Sequence, residues 1–393
     1  MPGSDRQKLP DPLGAALYNG GTGEAHLAHF KILGHGTIYR NPHPNRISEY
    51  VAFPAIHALG EDVLVCMCRH GSARESDDGV VKIHRSTDRG QTWQPTGAPL
   101  ETDDFDTGWR LPGGFGITPD DDAVAWMEYP PDADGQPNHM VSRSTDAGAT
   151  WSALERVAID SYGRVGPGGN LVTLPNGLMI SASEWGEQGF EQEFPDWASL
   201  ITRSQDGGRT WEPRRRVHSP IDGVYFFDLR ITALHDGRLL GVYWTHDKNT
   251  GRDLNVHTTW SADAGETWSE PQDAGFCGQV TDITCLHSGR VMAVSNHRSA
   301  PAGVRALASE NDGKSFAEDE HVELWGIEPA TVRSASVLAK RRDVAEDALD
   351  SYHFFTFGTP SVTQLPDGAI AVAFYVTEEH VTYVRCCRMR EVD

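Results

Sequence analysis

Short runs of alternating apolar and polar residues recur along the chain, and each ends in the same kind of corner. VVKIHRS (Val80–Ser86) and NVHTTWS (Asn255–Ser261) alternate with the period of a half-buried strand. The corners are STDRGQTW from Ser86, STDAGATW from Ser144, SQDGGRTW from Ser204, SADAGETW from Ser261 and the weaker SENDGKSF from Ser309. Their leading serines are 58, 60, 57 and 48 residues apart. An Asp-x-Gly turn suits a tight hairpin in which glycine takes φ > 0. The Ser and Asp side chains satisfy free turn amides, and the closing tryptophan is a large apolar anchor. Turn chemistry accounts for every fixed residue of the octet, so its role is structural.

A second repeat is nested in the first. LPNG (Leu174–Gly177), LHDG (Leu234–Gly237), LHSG (Leu286–Gly289) and LPDG (Leu365–Gly368) each separate two apolar runs, with looser versions near Glu61 and Asp121. Six units result, each with strand, turn, strand, loop and strand, and five of them carry the octet corner that leads to a fourth strand. Four-stranded units repeated radially predict an all-β, six-bladed β-propeller of antiparallel blades. The sixth unit (SVTQL, AIAVAFYV, VTYVRCCRM) has no octet. Its fourth strand is expected from HFKILGHGTIYRN (His29–Asn41), which closes the ring and removes free sheet edges. Residues 28–393 then form one domain behind an extension over 1–27, with an insertion at 317–352 whose stretch ATVRSASVLAKRRDVAEDAL has a helical face.

Composition changes the picture little, and charge changes it more. Forty glycines, 23 prolines and 11 tryptophans suit a turn-rich β protein. The formal charge of −22 argues against nucleic acid and anionic membranes as partners. A small anionic substrate stays open wherever arginines gather. No apolar run approaches the roughly 20 residues of a membrane helix, and the first residues lack a signal-peptide core. Cys66 and Cys68 share one face of a strand and Cys386 and Cys387 are adjacent, so reduced thiols and a cytoplasmic location are expected. No C-x-x-C pair points to zinc. The insertion or the N-terminal extension could cover a neighbouring subunit, which leaves a homo-oligomer open.

The octets resemble Asp-boxes, also called bacterial neuraminidase repeats, and their number and spacing resemble the sialidase superfamily of six-bladed propellers. The resemblance runs from about residue 45 to nearly the end. It implies an arginine in an Arg-Ile-Pro element, but YVAFPAI keeps Pro54 and has Ala52 at the arginine position. It implies a general-acid aspartate before the first octet hairpin, where Asp77 and Asp78 stand. It also implies a nucleophilic tyrosine opening the last blade, where FGTPSVTQL has none, and an arginine where YWTHD stands. A divergent member with another substrate is therefore expected.

Ligands of propellers sit over the central channel, lined by the ends of second strands and the beginnings of inner strands. The former supply Arg69, His70, Trp126, Glu128, Glu184, Trp185, Trp244, His246, Asp247, Asn296, His297, Arg298 and Tyr375. The latter supply Glu49, Tyr50, Trp109, Arg110, Arg164, Tyr225, Asp228, Arg230, Asp282 and His353. Tryptophans among polar groups suit sugar rings. The leading expectation is an exo-acting glycoside hydrolase cleaving a small glycoside or oligosaccharide at the channel mouth. It needs paired carboxylates, with Asp77 or Asp78 as acid, Glu184 and Glu128 as partners and Asp228 and Asp247 in reserve. The alternative is a uronate lyase using His70, His246 or His297 with arginines to neutralise the carboxylate. A non-catalytic glycan-binding propeller is the third reading. The same histidines could instead hold a metal, but no metal ligand is assigned and no cofactor is called for.

Overall fold

The computed structural model describes residues 29–74, 76–100, 110–129, 138–157, 159, 165–185, 197–298, 302–326 and 356–392; for 165–167 and Trp185 it describes the backbone alone. Six antiparallel sheets form the blades of a propeller. Blade I contains Tyr50–Ala58, Leu64–Gly71, Val80–Ser86 and Gln94–Pro95, from the channel outward. Blade II contains Leu111–Ile117, Ala123–Tyr129, Asn138–Ser144 and Glu155–Val157. In blade III the inner strand is split into Val165–Pro167 and Val172–Thr173, followed by Met179–Trp185, Ala198–Ser204 and Arg215–His218. Blade IV contains Val224–Ala233, Leu239–Asp247, Asn255–Ser261 and Gln272–Cys277, with the short Arg252–Asp253 paired to its second strand. Blade V contains Thr281–Cys285, Val291–His297, Gly303–Ser309 and Val322–Gly326. Blade VI contains Phe357–Gln364, Ala369–Glu378 and Val381–Glu391, and its outer strand is the N-terminal Phe30–Tyr39. The innermost strands pack in the order I to VI and back to I, so the ring is closed as expected.

The apolar core is divided among the six gaps between blades. One cluster of buried side chains fills each gap, from that between blades V and VI round to that between IV and V. The octets explain how these gaps are filled. Trp93, Trp151, Trp211, Trp268 and Phe316 each pack into the cluster shared with the preceding blade. In the turn that closes at Trp211, Asp206 Oδ1 accepts from the Thr210 amide at 2.9 Å and Oδ2 accepts from the Thr210 hydroxyl at 2.6 Å. Ser204 Oγ donates to Asp206 Oδ1 at 2.8 Å, and Trp211 Nε1 donates to the Gly208 carbonyl at 3.1 Å. The third octet position is a hydrogen-bond hub, and the last is a plug. Gly265 in the SADAGETW turn has φ +87°, and a Cβ there would come within 2.5 Å of Ile201 in the blade before it.

Two expectations meet the structure differently. The stretch after Ala317 begins with a 3-10 turn, Glu318–Glu320, and then supplies the outer strand of blade V, so the departure from the repeat starts later than residue 317. The helical stretch expected beyond it lies outside the described residues. All six cysteines are free thiols.

Candidate functional site

The inner strands are not smooth as they pass the channel. In blade IV the register breaks between Phe227 and Arg230, and Asp228 takes a left-handed φ of 53°. Similar breaks interrupt the inner strands of blades I, II and VI, with Phe53 at φ 55° and Thr359 at φ 46°. Bulges of this kind re-aim side chains and backbone groups, and aspartate tolerates the left-handed region better than most residues. Here the bulge turns the Asp228 amide toward blade III, where it donates to Glu184 Oε2 at 2.7 Å. Glu184 stands next to the end of its strand and is partly buried.

Charge is dense around this bond. Burial is the largest influence on Glu184 and pushes its carboxyl up to about 8; the neighbouring Asp228 carboxylate adds to the effect, while the Asp228 amide and Arg230 oppose it. Burial also raises Asp228, against the pull of Arg230, Arg298 and Arg74. Asp282, at the start of the inner strand of blade V, is raised by burial against Arg230 and against two amides that it accepts. Those amides are Val362 at 2.9 Å and Ile283 at 3.1 Å. The Glu184 and Asp228 carboxyls are close enough for the charge of Asp228 to raise Glu184.

Arg230 is 6% exposed, and its Nε has no hydrogen-bond partner among the described residues. It lies against Gly169, where a Cβ would come within 2.5 Å of Arg230 Nη1. Gly169 of GPGGN (Gly166–Asn170) thereby lets backbone pass beside this guanidinium, while its neighbour Gly168 lies against the backbone of Ala182 and Leu229. Arg298 donates to the Phe357 carbonyl at 2.6 Å, to Gln279 and to Tyr375. Burial lowers it to about 10. Tyr375 also hydrogen-bonds Tyr50, whose hydroxyl is pushed up by burial. Gln279 in turn donates to Asp253 Oδ2 at 2.8 Å, and Asp253 Oδ1 takes Trp244 Nε1 at 2.8 Å and His246 Nδ1 at 3.0 Å.

Of the residues expected at the site, Glu184, Asp228, Arg230, Arg298 and Tyr375 are linked by these bonds and fields. Glu128 is buried in blade II and acts on both Glu184 and Arg214. Tyr225 and Trp244 pack with Trp197, Phe227 and Val280 into a buried aromatic wall rather than open stacking faces. Asp78 is exposed, accepts the Ser72 amide at 3.0 Å, and is held below its ordinary value by bonds from Ser76 and Ser72. Asp77 is exposed beside it. Arg69 and Arg110 brace the same loop: Arg69 donates to the Ala73 carbonyl at 2.9 Å and Arg110 to the Gly79 carbonyl at 3.2 Å. His70, His246 and His297 are all buried, but His70 is bonded to Glu49 and His246 to Asp253, so the matching histidines are drawn into separate contacts. Trp109, Arg164 and His353 lie outside the described residues, and Trp185 is known by its strand position. Sequence reasoning missed Arg74 and Asp253. Arg74 sits in the loop read for its aspartates, and Asp253 carries no signal beyond its distance from His246 along the chain.

Residues 117–372 match the family model of the BNR repeat-like domain. The chain belongs to the BNR repeat-like domain family. It is a divergent, sialidase-like member of that superfamily. A sialidase of Bacteroides fragilis is 25% identical over 251 residues, which is 57% of this chain and 44% of that protein. The chain spans less than half the length of the curated relatives it matches. Among solved structures, a Dyadobacter fermentans protein of unknown function superposes with a TM-score of 0.68 at 16% identity, covering 93% of this chain and 100% of that one. A Penicillium chrysogenum alpha-L-arabinanase complexed with arabinobiose gives a TM-score of 0.62 at 14% identity, covering 92% and 98%. These superpositions concern the fold.

Proposed function

We propose that this BNR-family propeller is an exo-acting glycoside hydrolase whose general acid is Glu184 and whose second carboxylate is Asp228. The observation that carries this reading is the Glu184–Asp228 contact, in which one carboxyl is raised to about 8 beside another. A glycosidase needs one carboxyl that keeps its proton at working pH and one that gives it up. Glu184 fits the first role, and Asp228, pulled down by three arginines where Glu184 feels mainly Arg230, fits the second. This assignment moves the acid from Asp78, which its own loop keeps ionised. Arg230 and Arg298 are suited to position hydroxyl or carboxylate groups of the sugar.

The names of its relatives supply two sugar classes to try: sialosides, from the sialidases, and neutral arabinose oligomers, from the arabinobiose complex. An anionic sugar would find a partner in Arg230. The test is release of reducing ends from a panel containing both classes and uronate-containing oligosaccharides. Hydrolysis of at least one member, with loss of turnover in Glu184→Gln, is the expected result. Release that is unaffected by that substitution overturns the assignment.

A further inference from the structure

A second chemical cluster lies at the seam where the ring closes, between blades I and VI. Cys68 and His70 are two residues apart on one strand of blade I, and His84 stands on the next strand. Their side chains are buried. The Nε2 atoms of His70 and His84 are 3.2 Å apart, and Cys68 Sγ is 3.5 Å from His70 Nε2. All three candidate donor atoms lie within 4.8 Å of one another. Zinc bonds of about 2.0–2.1 Å to nitrogen and about 2.3 Å to sulfur, at a tetrahedral angle, put two nitrogens about 3.4 Å apart and nitrogen and sulfur about 3.6 Å apart. The two closest spacings match that pattern.

The surroundings point the same way. His70 Nδ1 is 2.9 Å from Glu49 Oε1, and Glu49 Oε2 accepts from the Tyr39 hydroxyl at 2.8 Å. A carboxylate on the far nitrogen fixes the tautomer and leaves the Nε2 lone pair facing the cluster, as at metal-bound histidines. His70 Nε2 thus faces both Cys68 Sγ and His84 Nε2. Tyr39 belongs to Phe30–Tyr39, the N-terminal strand that completes blade VI.

We propose that Cys68, His70 and His84 bind one divalent cation of the zinc class, oriented by Glu49 and tied through Tyr39 to the ring-closing strand. Imidazole and thiolate select such an ion over magnesium or calcium. Uptake replaces the Cys68 thiol proton with a sulfur–metal bond and releases that proton to solvent. The ion would staple blade I to the end of the chain that closes the ring, apart from the channel chemistry. Because the donors are buried, loading accompanies folding.

The full chain is therefore produced in medium where cobalt(II) is the added transition metal. Metal per chain and the thiolate-to-cobalt charge-transfer absorption are then measured. The expected result is about one cobalt per chain with the absorption present, and loss of the absorption with at least about tenfold lower occupancy in Cys68→Ser. Glu49→Gln should keep the absorption and weaken cobalt retention against a chelator by about 10–100-fold. Wild-type protein without cobalt, or absorption and stoichiometry unchanged in Cys68→Ser, overturns the proposal. If Cys68→Ser does not fold, the absorption of the wild type and the weaker cobalt retention of Glu49→Gln still decide: no absorption, or retention unchanged in that variant, overturns the proposal.

Discussion

Replacing Glu184 by glutamine separates the proton from the shape of the side chain. The amide oxygen can still accept the Asp228 N–H, now at 2.7 Å from Glu184 Oε2, so the bulge keeps its anchor. What disappears is a carboxyl raised from 4.5 to about 8 by burial and by Asp228. That difference of about 3.5 pH units corresponds to at most about 4–5 kcal/mol between the two protonation states. The sign follows from proton counts: between 4.5 and about 8 the folded state holds a proton that the unfolded state has lost. Wild-type stability therefore falls as pH rises through that window, and the glutamine variant lacks this contribution. The variant should gain on the wild type by about 2–4 kcal/mol between about pH 5 and about pH 9, read from urea unfolding midpoints and slopes. Turnover should fall by about 10²–10⁴ over the same range. Parallel stability curves for the two proteins would refute the raised carboxyl, whatever happens to activity.

Two further substitutions test neighbouring claims. Arg230→Met removes a positive charge that lowers both Glu184 and Asp228, so the alkaline limb of the activity profile, expected near pH 8, should move upward while kcat/KM falls; a limb that stays in place would exclude Arg230 from the field of the pair. Asp206→Ala deletes the hub of the SQDGGRTW turn and should cost about 1–3 kcal/mol in thermal or urea unfolding at neutral pH. Bonds from Thr210 and Ser204 hold the Asp206 carboxyl down to about 2 against its ordinary 3.8. Its contribution should therefore be present above pH 3.8 and be lost as pH falls toward 2, and equal losses at both ends would contradict the hub role.

The fold was legible because its signal is local and repeated. Each octet encodes a turn, a hub and a plug within eight residues, and an aromatic plug fills the equivalent gap in five successive blades. The ring-closing strand followed from counting strands. The site was legible as a set of strand ends, which is how Glu184, Asp228, Arg230, Arg298 and Tyr375 were found together. Their internal order was not. The Asp228–Glu184 bond depends on a backbone bulge, and a bulge changes register without leaving a fixed residue pattern. Asp78 was chosen for its position before the first octet, whereas its bonds are to its own loop. The Cys68–His70–His84 cluster needs the pairing of two strands: Cys68 lies opposite Lys82 and Cys66 opposite His84, a diagonal that spacing alone does not reveal. Trp244 is a rim tryptophan of the kind that suits a sugar ring, but Tyr225, Phe227 and Trp197 bury it.

The most direct test of the account compares wild type and Glu184→Gln on glycosides that share a sugar and differ in leaving group. A general acid is needed when the departing oxygen is basic and hardly needed when it leaves as a stabilised phenolate. The account predicts that the variant hydrolyses the activated aryl glycoside at near the wild-type rate and loses about 10²–10⁴ on the alkyl glycoside or disaccharide. Equal losses on both kinds of substrate, or none on either, would contradict the assignment of Glu184 as the proton donor of this propeller.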